Sequence, residues 1–120
     1  MADRLLFISW GESVHGREER GLEVFNEAIG YYGRMQQEGK IESFDVALLS
    51  PNGGINGYMQ LHGTIEQLNA IREDDEFRRI LIDATLVVEN MSIADGATGA
   101  GIEREVTMYS EAISKVAQTA

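Results

Sequence analysis

Arg4, Leu5, Leu6, Phe7, Ile8, Ser9 and Trp10 make a short apolar run rich in strand formers and closed by Gly11, which predicts a first strand. The spacing then changes. Leu22, Phe25, Ile29, Tyr32 and Met35 recur three and four residues apart, with Glu18, Glu19, Glu23, Glu27 and Arg34 on the other faces. This pattern predicts an amphipathic helix over residues 17–38, of about six turns. Gly39 stands where a left-handed C-terminal cap belongs, and Gly21, Gly30 and Gly33 allow close packing of this helix on a sheet. Residues 41–49 alternate around Phe44, Val46 and Leu48, and residues 55–62 around Met59 and Leu61, so both are strands. Ser50, Pro51, Asn52, Gly53 and Gly54 between them are turn formers, and the pair reads as an antiparallel hairpin.

Thr64 with Gln67 three residues on is a capping box, and Ile65, Leu68 and Ile71 begin a second helical stripe. Asp74 and Asp75 interrupt it. Asp75 is the expected cap of a further short helix that turns Phe77, Ile80 and Leu81 inward. Residues 85–93 (TLVVENMSI) return to strand, and the flexible small-residue stretch 96–101 (GATGAG) links this core, residues 1–95, to a tail. Ile102, Val106, Tyr109, Ile113 and Val116 then mark an amphipathic C-terminal helix over residues 102–118.

The order βαββαβ with a central hairpin is that of a ferredoxin-like α+β domain, a four-stranded antiparallel sheet with its helices on one face. An antiparallel sheet with one wet face shows polar alternation. Here Leu6 and Ile8 oppose Leu5 and Phe7 in the first strand, and Leu86 and Val88 oppose Val87, Met91 and Ile93 near the last. Both faces look covered. An identical subunit packed sheet to sheet is the simplest cover, with the chain's own C-terminal helix as the alternative. One domain is all that 120 residues accommodate, and a composition 43% hydrophobic and 25% charged is that of a globular protein.

Element order, the length of the first helix and the acidic, aromatic and basic stretch Glu73, Asp74, Asp75, Glu76, Phe77, Arg78, Arg79, Ile80 and Leu81 are the features that carry a family likeness. On these, residues 4–96 resemble the dimeric α+β barrel superfamily, in particular its small bacterial EthD-like, YCII-related and antibiotic-biosynthesis-monooxygenase-like members. The resemblance implies a homodimer with a pocket between sheet and helices for small hydrophobic, often oxygenated molecules. Some members oxidise or isomerise such molecules. Three functions follow as expectations: small-molecule binding, cofactor-independent monooxygenase or isomerase activity on a small aromatic or oxygenated substrate, and a non-catalytic assembly module.

A formal charge of −10 opposes binding to phosphate backbones and anionic lipid surfaces, so neither nucleic acid nor a membrane is expected as a partner. No apolar run approaches the roughly 20 residues of a membrane span, and Met1, Ala2, Asp3 and Arg4 lead straight into a strand, so a cytoplasmic protein is expected. Cysteine is absent, which removes disulfides, thiolate metal sites and cysteine nucleophiles. Two histidines without close spacing do not make a metal site, a haem would need His15 or His62 as its proximal ligand without further support, and no cofactor is expected.

The candidate chemistry is therefore sparse. His15 lies in the connection after the first strand, where loops deliver groups to a pocket mouth, with Glu12 as an orienting carboxylate. Tyr58, Gln60 and His62 share one face of the third strand and make a polar stripe. That stripe lines a pocket if it faces the helices, or satisfies an interface if it faces a partner. Trp10 is the only tryptophan and is placed to stack on a planar ligand. The candidate catalytic groups are thus His15 and His62, and the candidate ligand-binding groups Trp10, Tyr58 and Gln60. Glu89, inside an apolar run, needs a salt bridge or a solvated edge.

Overall fold

A computed structural model describes residues 2–116. Its elements are β1 (Arg4–Trp10), α1 (Glu18–Gln37), β2 (Ser43–Leu48), β3 (Gly57–Gly63), α2 (Ile65–Glu73), α3 (Asp75–Thr85), β4 (Ser92–Ala97) and α4 (Ala100–Ser114). The four strands form one antiparallel sheet in the order β2-β3-β1-β4, the ferredoxin-like α+β arrangement, with β1 and β3 in the middle.

Alternation sorts the sheet into two unlike faces. Leu6 and Ile8 of β1 and Met59 and Leu61 of β3 are buried on the inner face, where they meet Val24, Tyr31, Tyr32 and Met35 of α1, Ile71 of α2 and Phe77 and Ile80 of α3. The helical stripe of α1 is centred a little off the expected one, and Leu22 is 64% exposed. The outer face carries Leu5, Phe7, Tyr58, Gln60 and His62, all half-buried.

Capping follows the local chemistry. Gly39 takes φ +73° just past α1, the left-handed conformation expected there. At the start of α2 the capping box is formed, with the Gln67 backbone N–H donating to Thr64 Oγ1 at 3.2 Å and the Thr64 N–H donating to Gln67 Oε1 at 2.9 Å. The cap of α3 is Asp74, not Asp75, because Asp74 is the extended residue between the two helices and its carboxylate accepts from the Glu76 N–H. A Cβ on Gly30 or Gly33 would meet nothing within 4 Å, so close packing does not explain these two glycines.

The largest departure from expectation concerns the last strand. α3 runs to Thr85, and the apolar residues after it form a turn in which the Val87 and Val88 N–H groups both donate to the Ala84 carbonyl at 3.0 Å. The turn is tied to the connection after β1: Gly11 N–H donates to the Glu89 carbonyl, Val14 N–H to the Val87 carbonyl and Glu89 N–H to the Glu12 carbonyl, each at 2.8 Å. Glu89 is therefore an exposed loop residue, and no carboxylate is buried there. Asn90 takes φ +54°, and the chain then pairs residues 92–97 with β1. Gly96 and Ala97, expected in a flexible linker, are ladder residues, and only Thr98 and Gly99 separate β4 from α4.

α4 begins two residues earlier than the spacing predicts, and residues 117 and 118 of the predicted helix lie outside the described residues. Ion pairs from Arg104 to Asp3 at 2.7 Å and from Arg4 to Glu105 at 3.1 Å hold its first turns. Beyond them the helix stands away from the core: only Gly101 is buried, while Ile102, Val106, Tyr109, Ile113 and Val116 are all exposed.

Candidate functional site

Between the inner face of the sheet and helices α1 and α3 lies a cavity of about 310 Å³. Its wall is apolar and aromatic, with Trp10, Phe25, Tyr32, Met59 and Ile80 among the lining side chains. Alternation along β1 brings Trp10 to the same side as Leu6 and Ile8. A second feature holds it there. The indole lies across β3 at Gly57, where an added Cβ would stand 2.5 Å from Trp10 Cζ2 and 3.0 Å from the Ala47 carbonyl oxygen. Only a glycine admits this approach. The Phe25 ring meets Trp10 edge-on, with centroids 6.1 Å apart. The turn after α3 closes the cavity's side with Val87, Val88 and Met91, which gives the displaced last strand a role: its apolar run is cavity wall rather than sheet.

Polar groups at the cavity are few. Ser13 and Glu18 line it and are exposed to solvent. Tyr32 is different, being only 1% exposed. Its neighbour Tyr31 donates its hydroxyl to Asp74 Oδ2 at 2.5 Å, whereas the Tyr32 hydroxyl has no protein hydrogen-bond partner among the described residues. Burial alone pushes the Tyr32 phenol well above its usual range, so the group stays protonated and remains a donor.

Of the candidates read from sequence, the structure brings only Trp10 to the cavity wall. His15 sits exposed in the turn before α1 and does not line the cavity. Tyr58, Gln60 and His62 occupy the outer face of the sheet, opposite the cavity; Tyr58 stacks on Phe7 with centroids 5.3 Å apart, and His62 Nε2 lies 2.9 Å from Asp45 Oδ2. The two histidines are thus not assembled with Trp10. By spacing, Tyr32 and Phe25 belong to the helical core stripe, and the one signal that sets Tyr32 apart is that it carries the stripe's only hydroxyl. No group of three or more potential metal-ligating His, Cys, Asp or Glu side chains occurs among the described residues. No helix among them is long and apolar enough to cross a membrane.

No protein-family model matches the chain, and no curated protein matches it. Solved structures do. A dimeric ferredoxin-like protein of unknown function from Jannaschia is similar at a TM-score of 0.61 and 12% identity, over 79% of this chain and 99% of that one. Hydroxynitrile lyase from Passiflora edulis is similar at 0.63 and 7% identity, over 83% and 97%. SnoaB, a cofactor-independent oxygenase from Streptomyces nogalater, is similar at 0.50 and 16% identity, over 82% and 94%. These likenesses concern architecture, and one architecture here accompanies unlike chemistries. The chain has the ferredoxin-like fold shared by the dimeric α+β barrel proteins.

Proposed function

We propose that this protein is a homodimer that binds a small, largely apolar organic molecule in the cavity between sheet and helices. The observation that carries this reading is the cavity of about 310 Å³ itself, with Trp10, Phe25 and Tyr32 in its wall. Pockets of this size and lining suit small organic ligands, whose burial in an aromatic wall supplies most of the affinity. Dimerisation is supported by the outer sheet face, where Leu5, Phe7 and Tyr58 form an apolar centre. In this reading Tyr58, Gln60 and His62 belong to the interface, and the His62–Asp45 pair is part of its polar network.

A second reading is a cofactor-independent monooxygenase or isomerase. It is favoured by the position of Trp10 in the cavity wall and by the likeness to SnoaB. Oxygen uptake or isomerisation on mixing with a polycyclic phenol distinguishes it from binding alone, and His15→Ala and His62→Ala test whether either imidazole moves the proton. A purely structural assembly module would bind nothing in the cavity.

The binding test uses the sole tryptophan as its reporter. An apolar aromatic ligand that enters the cavity quenches or shifts Trp10 emission in a saturable way. Ala84→Phe, which places a ring in the cavity from α3, abolishes that response while leaving the far-ultraviolet circular dichroism unchanged. An unaltered response in the Ala84→Phe protein would locate the ligand elsewhere and remove the proposal.

A further inference from the structure

The wall of the cavity carries one phenol, and among the described residues the hydroxyl of that phenol, Tyr32, has no protein hydrogen-bond partner. Tyr32 is 1% exposed, and its ring is fixed by aromatic neighbours: Tyr31 at 5.7 Å, Phe44 at 5.9 Å and Phe77 at 6.4 Å between centroids. A side chain so placed holds its hydroxyl in one position, and because no side-chain oxygen among the described residues is both fully buried and unpaired, that hydroxyl keeps a small accessible surface. Buried hydroxyls are normally paired, and leaving one unpaired is costly. The adjacent Tyr31 obeys this rule through Asp74. Tyr32 lines the cavity without a protein partner, so its hydroxyl is available to whatever fills that space.

We infer that Tyr32 is the specificity-determining residue of the cavity, donating a hydrogen bond from its hydroxyl to a carbonyl oxygen of a neutral, ring-containing ligand. The inference rests on the small-molecule reading of the cavity. The phenol hydroxyl can donate as well as accept, and a carbonyl oxygen in an otherwise apolar ligand takes the hydrogen it donates. The acceptor is on a neutral molecule because no cationic side chain lines the cavity to pair with an anion, and Glu18 at its edge repels one. The ligand's remaining surface is apolar, to match Trp10, Phe25 and Met59. Catalysis is not required for this role: Tyr32 positions and selects.

The test compares α-tetralone with tetralin, two bicyclic molecules of nearly equal shape that differ by the carbonyl oxygen. Affinities are measured by calorimetric titration of the full chain and of its Tyr32→Phe variant. Tyr32→Phe is expected to weaken α-tetralone by roughly threefold to tenfold, the range of one net neutral hydrogen bond, and to leave tetralin within about twofold. Unchanged α-tetralone affinity alongside intact tetralin binding would overturn the role of Tyr32 while the cavity reading stands. Failure of the unsubstituted protein to bind either molecule would overturn both. Should Tyr32→Phe not fold, unsubstituted protein isotope-labelled at tyrosine Cζ supplies the answer. A Tyr32 Cζ resonance displaced by α-tetralone and not by tetralin supports the hydrogen bond, and equal or absent displacement refutes it.

Discussion

Two consecutive tyrosines on α1 meet the same burial with different solutions. Tyr31 is 0% exposed and donates a hydrogen bond to Asp74, and Tyr32 holds its hydroxyl without a protein partner in the cavity wall. In both, loss of solvation is the main influence holding the phenol above its ordinary value of 10.0, with the neighbouring Asp74 carboxylate adding to it for Tyr31. A group whose folded-state value is raised contributes stability that is full below its unfolded value and is lost as pH rises above it. Unfolding free energy is therefore expected to fall above pH 10.0, with a slope approaching about 1.4 kcal/mol per pH unit for each of the two phenols. Urea titrations on either side of that pH measure it, and Tyr32→Phe should lose about half the slope. An identical slope in the variant would mean that the Tyr32 hydroxyl is solvated. None of this could be read from the spacing of α1, which treats a tyrosine in an apolar stripe as another core ring. Likewise, alternation in β3 separates Tyr58, Gln60 and His62 from Met59 and Leu61 correctly, and the more apolar set faces the helices. Alternation alone left open which set faces the helices, so Tyr58, Gln60 and His62 stood as candidate site residues, and the structure puts them on the outer face.

At the level of elements, β1, α1, the hairpin and the box at Thr64 were legible because each is determined locally, by an apolar run, a 3.6-residue period, turn residues or a side-chain cap. β4 was not. Leu86, Val87 and Val88 have the higher strand propensity, yet SIADGA forms the ladder, because β1 has a second edge to satisfy and residues 92–97 are those the turn delivers to it. The boundary between α2 and α3 depends on one residue. Asp74 caps α3 through Oδ1 and accepts the Tyr31 hydroxyl through Oδ2, so the same carboxylate starts a helix and ties it to α1. Asp74→Ala removes the cap and strands a buried phenol, and about 2–4 kcal/mol of stability should be lost in chemical denaturation. Asp74→Asn keeps an acceptor in place and should cost less than half as much. Equal losses in the two variants would show that packing of the side chain, and not its oxygens, is what matters.

The molecule as a whole is too long for its mass. Its radius of gyration is 17.0 Å, against about 14 Å for a compact chain of this length, and its extents are 55 × 37 × 23 Å. α4 accounts for the excess, an amphipathic helix whose apolar side chains meet solvent beyond its anchored first turns. With the outer sheet face, that gives one chain two apolar surfaces that its own core does not cover. In the proposed homodimer a twin would cover both, with the sheets face to face and each α4 reaching over the other subunit. Two chains of charge −10 repel, so association should tighten as salt is raised from low ionic strength to about 0.15 M, where the Debye length is roughly 8 Å. Ending the chain after Thr98 keeps the β4 ladder intact and removes α4. Sedimentation equilibrium of this shortened chain should show a dimer at least tenfold weaker than that of the full chain. Equal dimer strength would leave the sheet as the whole interface and α4 without a role in assembly. A monomer in both forms at micromolar concentration would mean that neither surface meets a twin, and that the apolar centre at Leu5, Phe7 and Tyr58 is covered by a different protein.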